Sequence, residues 1–255
     1  MTLNKNIFPW FNALLLVLTL ELSSYNYRWL YALVPMTLAV IVLSLWEFNG
    51  RHFGKDWLRL SISPLLFPIG AILFFIFLVP RVPFFLHGYV AIVALLTVLY
   101  YKNIHDIADG PQIYRPYALE NPASHFNLIS IFLLCSSFYN FVFFSTAIFW
   151  LVEALLALIV IGLLYQSFWA NRVLNKRNAL FIFVAALIMA EAFLAVSFMP
   201  LGFYVSGLIL TLIYYFLAEA TRAHLLDRAA KRNFRRELII VAVVLLVVLL
   251  TARWS

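Results

Sequence analysis

The chain has 255 residues, 65% of them hydrophobic and only 11% charged, with a mean hydropathy of +0.97 and a formal net charge of +7. Soluble domains carry about a quarter charged residues and about half apolar ones, so these values exclude a water-soluble fold and predict an all-α, polytopic membrane protein built as one transmembrane domain. The basic residues lie between apolar blocks, not on a soluble face, which excludes nucleic acid as a partner; the single cysteine, Cys135, excludes an intrachain disulfide framework and a cysteine-rich metal site.

A membrane-crossing helix needs about 20 mostly apolar residues. Nine blocks qualify, at 7–22, 28–47, 60–79, 83–101, 126–143, 145–166, 178–198, 200–220 and 237–252. The first, IFPWFNALLLVLTL after MTLNKN, also has the outline of a signal peptide. The adjoining ELSSYNY has no small-x-small cleavage site, so the block is read as a span.

Nine spans place alternate loops on opposite sides of the bilayer. One side then collects 15 Lys and Arg residues and the other only three, Arg28, Arg81 and Arg253. By the positive-inside rule the N-terminus is expected in the cytoplasm and the C-terminus outside a plasma or inner membrane.

The phrase SSYNY at 23–27 returns as SSFYNF at 136–141. An offset of 114 also aligns Gly88 with Gly202, Thr97 with Thr211, and Tyr100-Tyr101 with Tyr214-Tyr215. This predicts a parallel duplication: a first four-helix half at 1–102, a cytoplasmic linker at 103–125, a second half at 126–221, a basic segment at 222–236 and a ninth helix at 237–255. The two phrases are then expected to be equivalent outer corners, with tyrosines at headgroup level and Ser and Asn satisfying turn backbone groups.

Of the 11 carboxylates, most sit at span ends or in cytoplasmic loops, and two do not: Glu153 in FWLVEALLAL and Glu191 in LIMAEAFLAV. Each lies about 8 residues from the same end of its span, hence about 12 Å deep, and the pair could share a proton or a cation. The alternative is that each is protonated and hydrogen-bonded as interhelical glue. Glu21, Arg28, Arg81 and His87 lie near the outer ends of other spans and are candidates for a polar vestibule.

The longest loop, at 101–125, carries His105, Asp106, Asp109 and His125, which are possible metal or acid–base groups. Their spacing matches no zinc or di-metal signature, and Gly110, Pro111, Pro116 and Pro122 predict a connector without a long helix. The stretch 221–237 contains Arg222, Arg228, Lys231, Arg232, Arg235 and Arg236. It is expected to extend span 8 into the cytoplasm and to contact anionic headgroups, with docking of an acidic partner as the alternative.

The nine-span layout resembles that of the UbiA prenyltransferase superfamily, and that resemblance implies magnesium-binding, Asp-rich motifs in the loops after spans 2 and 6. Those loops read NGRHFGKDWLR and QSFWANRVLNKR, with one Asp and none. No catalytic residue is carried over, and no cofactor or metal is implied.

Three classes of function remain. The first is a non-catalytic membrane component, meaning a scaffold, assembly factor or accessory subunit that binds lipid or a membrane protein partner. The second is a small ion- or proton-coupled transporter using Glu153 and Glu191, and the third a membrane-embedded lipid-modifying enzyme. Short loops without a catalytic signature favour the first.

Overall fold

In the computed structural model, the described residues are 7–48, 55–79, 82–109, 120–145, 148–170, 176–225 and 228–251. They form nine helices and no strand: α1 (Phe8–Tyr25), α2 (Trp29–Phe48), α3 (Lys55–Leu78), α4 (Pro83–Asp109), α5 (Glu120–Phe144), α6 (Phe149–Ala170), α7 (Lys176–Ser197), α8 (Phe203–Leu225) and α9 (Arg228–Thr251). Seven of these, α2 to α8, are long and apolar enough to cross a membrane. The chain is therefore an all-α, multi-pass membrane protein.

The two helices outside those seven differ for separate reasons. In α9 a strongly basic opening at 228–237 precedes the apolar run at 238–250, which spans about 20 Å against a hydrocarbon core of about 30 Å. In α1 the apolar character is diluted by polar residues that lie inside the fold. Asn12 and Thr19 are both buried, alongside Leu15, Leu16 and Leu20.

The helices group into two compact units, Met1–Phe126 and Asn127–Ser255. In the first unit, α1 packs against α4, α2 and α3. Its corner with α2 is built by Asn26, whose N–H donates to Leu22 O at 3.1 Å and whose Oδ1 accepts from the Arg28 N–H at 3.0 Å. This side-chain turn is the reason an Asn stands where the helix ends.

Beyond the corner, α1 and α2 are joined by two polar contacts: Asn12 with Ser44 at 3.3 Å, and Thr19 Oγ1 with Thr37 Oγ1 at 2.7 Å. Both pairs add to 56, twice the corner position 28, so the helices run antiparallel in one register. Their spacing of seven residues keeps both on one seam. One threonine donates to the other, and the acceptor's own hydrogen goes to the carbonyl four residues back, Leu15 O or Leu33 O. Each buried hydroxyl is thereby satisfied inside the hydrocarbon.

Elsewhere in this unit Tyr89 Oη donates to Ala71 O at 2.8 Å and stacks on Phe74 and Phe75, joining α3 to α4. Lys102 sits 5.0 Å over the Trp10 ring, joining the end of α4 to the start of α1.

In the second unit α6 packs on α7, α7 on α8, and α8 on α9. Helix α5 is buried along most of 130–140. Tyr139 stacks on Phe193 of α7 with ring centroids 4.5 Å apart and donates its hydroxyl to Phe193 O at 2.9 Å. Where α5 crosses α8, Gly207 lies against Ser136. A Cβ on Gly207 would stand 2.9 Å from Ser136 N and 3.0 Å from its Cα.

Three expectations need correction. SSFYNF is not a corner: it lies within α5, with Tyr139 and Asn140 buried, whereas Tyr25 and Asn26 are exposed. The apolar Phe141–Phe144 run prolongs the helix past Asn140, and the turn forms at Ser145, whose N–H donates to Phe141 O and Val142 O. Second, α4 continues to Asp109 and α5 begins at Glu120, so helices enter both ends of the 101–125 loop. Pro122 is accommodated there because a first helical turn needs no N–H partner. Third, α8 ends at Leu225 and α9 begins at Arg228, so most of the basic stretch opens α9 instead of extending α8.

Candidate functional site

The end of α1 carries Glu21, Ser24 and Tyr25 at i, i+3 and i+4, one face of the helix. Across from it, the start of α4 supplies His87, and His87 Nδ1 lies 2.8 Å from Glu21 Oε1. The His87 side chain is 58% exposed and that of Glu21 25%, so this is a half-open pair and not a buried one. With Nδ1 engaged by the carboxylate, Nε2 is the ring nitrogen left for a ligand.

A cavity of about 260 Å³ opens beside the pair. Its apolar floor includes Leu30, Phe75, Ile76, Val79 and Leu86, and its polar rim Ser23, Ser24, Tyr25, Tyr27 and His87. Ser23 Oγ donates to Thr19 O, and Ser24 Oγ donates to Glu21 O at 2.6 Å. With those hydrogens committed, both hydroxyls offer lone pairs to the cavity.

Of the four vestibule candidates, the structure brings Glu21 and His87 together. Arg28 is exposed in the corner and does not line the cavity, and Arg81 lies outside the described residues. Sequence alone marks Ser23, Ser24 and Tyr27 only as turn residues. The helical spacing from Glu21 is the signal that could have added Ser24.

Glu153 and Glu191 stand at nearly one level. The Phe149 ring of α6 meets Phe193 of α7 at 5.7 Å. Glu153 is four residues along from the first and Glu191 two back from the second, which leaves about 3 Å between their levels. Rotation separates them. Phe193 is fully buried and faces α6 and α5, and two residues turn a helix by about 200°, so Glu191 points away from α6. It lies on an exposed stripe with Leu180, Phe183, Leu187, Ile188 and Phe198. Glu153 is half-buried, and neither carboxylate has a hydrogen bond or ion pair among the described residues.

His105, Asp106 and Asp109 fall on the last turns of α4, and their side chains lie outside the described residues; His125 is exposed on α5 and has a partner. The side chains of Arg222, Arg228, Lys231, Arg232, Arg235 and Arg236 likewise lie outside them. Among the described residues, no group of three or more His, Cys, Asp or Glu side chains is placed to hold a metal ion.

Compared with protein-family models, curated proteins and solved structures, the chain matches none.

Proposed function

We infer that the protein is a non-catalytic membrane component, an accessory or assembly subunit that pairs with another membrane protein inside the bilayer. The observation that carries this reading is Glu191, a carboxylate presented outward from α7 on an otherwise apolar stripe. A charged group facing hydrocarbon costs a few kcal/mol or more. A partner helix bearing a Lys, Arg or hydroxyl at the same depth removes that cost, and the flanking Phe183, Leu187 and Phe198 supply packing area.

Several further parts of the reading have sequence support. The Lys and Arg segregation supports a cytoplasmic N-terminus, and the basic opening of α9 fits contact with anionic headgroups. The four-plus-four plan rests on the residue matches at an offset of 114.

Site-specific photo-crosslinking in native membranes tests the proposal. A crosslinker at Leu187 or Ala195 on the stripe is expected to capture a discrete membrane protein, and Glu191→Leu is expected to abolish the product. Crosslinks to lipid alone, together with proton uptake by proteoliposomes that Glu153→Gln and Glu191→Gln both eliminate, would refute it in favour of transport.

A further inference from the structure

We propose that the cavity between the end of α1 and the start of α4 is a binding site for a primary ammonium carried on an apolar body. This inference is independent of the α7 stripe.

The two serines give the cavity a pair of fixed acceptors. Ser23 Oγ and Ser24 Oγ have committed their hydrogens to Thr19 O and Glu21 O, so each meets a ligand with lone pairs. Glu21 does not line the cavity itself, but its carboxylate lies directly behind the lining residue His87, with Oε1 2.8 Å from His87 Nδ1. A neutral imidazole that donates through Nδ1 accepts through Nε2. A ligand that brings donors meets these acceptors, and an ammonium brings three, with a positive charge attracted by the Glu21 carboxylate behind His87.

The apolar half of the site sets the rest of the ligand. Phe75, Ile76, Val79 and Leu86 line the floor, and the Tyr25 and Tyr27 rings stand at the rim, where aromatic faces attract a cation. At about 260 Å³ the cavity lies at the small end of ligand pockets. It fits a short alkylamine or the amine end of a longer molecule. Phe84 and Phe85, exposed on α4 beside the opening, give such a molecule an apolar surface to follow. A neutral alcohol would satisfy fewer acceptors, and a carboxylate would be repelled by Glu21.

The same ammonium chemistry could come from an aminolipid headgroup or from a free amphipathic amine. The test uses the full chain in a non-ionic maltoside micelle, with hexylamine, hexanol and hexanoate compared by ligand-detected NMR. Hexylamine is expected to bind at least tenfold more tightly than either of the others. Glu21→Gln is expected to weaken hexylamine at least fivefold, and Ile76→Trp, which fills the floor, to abolish binding while thermal unfolding shows a folded protein. Displacement of hexylamine by phosphatidylethanolamine but not by phosphatidylglycerol assigns the aminolipid as the source, and failure of both lipids to displace it assigns a free amine. Equal binding of the three probes by the unmodified protein, or hexylamine binding unchanged in a folded Ile76→Trp variant, overturns the proposal.

Discussion

Gly207→Ala tests whether the crossing of α5 and α8 is set by backbone contact. The new Cβ would lie 2.9 Å from Ser136 N and 3.0 Å from Ser136 Cα, where carbon contacts are most favourable at about 3.5–4.0 Å. Ser136 Oγ stands nearer still and can rotate away, but the backbone N and Cα cannot, so the helices would have to part by about half an ångström. Overpacking of this kind costs about 1–3 kcal/mol. Alanine recovers about 0.8–1 kcal/mol of helix propensity, so the net change is a loss of about 0–2 kcal/mol.

Gly88→Ala in α4 is the matched control, since nothing lies within 4 Å of a Cβ there and only the propensity gain applies. The two variants should therefore differ by about 1–3 kcal/mol, or roughly 5- to 150-fold in the unfolding equilibrium. Reversible unfolding in mixed micelles, followed by circular dichroism, measures this difference. Adding Ser136→Ala should restore only part of the loss, because it removes Oγ and leaves the backbone atoms in place. Equal stability of Gly207→Ala and Gly88→Ala would refute the argument for a backbone-limited crossing.

Thr37→Val keeps the side-chain shape while removing the hydroxyl 2.7 Å from Thr19; it should lower stability by about 0.5–1.5 kcal/mol in the same unfolding assay. Tyr139→Phe preserves the stack on Phe193 but deletes the 2.9 Å bond to its carbonyl, with an expected loss of about 1 kcal/mol. Asn26→Ala removes the acceptor for the Arg28 N–H in the exposed α1–α2 corner and should cost about 0.5–1 kcal/mol by thermal unfolding. For Glu191→Leu, the isolated protein should be at least as stable as the parent, since the change removes an exposed carboxylate from an apolar stripe. A lower melting temperature would show that Glu191 is held within the fold.

Composition and block length were enough to predict helices crossing a bilayer, because every backbone polar group in hydrocarbon must be satisfied within its own segment. Corners were harder to read. Asn26 and Asn140 stand in nearly the same sequence context, yet one caps α1 and the other is buried within α5. The residues just beyond each Asn make the difference: the charged Arg28 in one case, and the apolar Phe141–Phe144 in the other.

Depth along a helix is linear in residue number, so the near-common level of Glu153 and Glu191 could be counted from the sequence, as could the closeness of Glu21 and His87 to span ends. Rotation about the helix axis could not, because α7 is apolar on both its packed and exposed sides. Phe193 and Leu187 are equally hydrophobic, but the first is fully buried and the second half exposed. Only the packing of α7 on α5 and α6 turned Glu191 outward, and only the meeting of α1 with α4 placed His87 on Glu21. In a bilayer both faces of a helix can be apolar, so hydrophobic pattern specifies which segments cross and leaves their partners to side-chain packing.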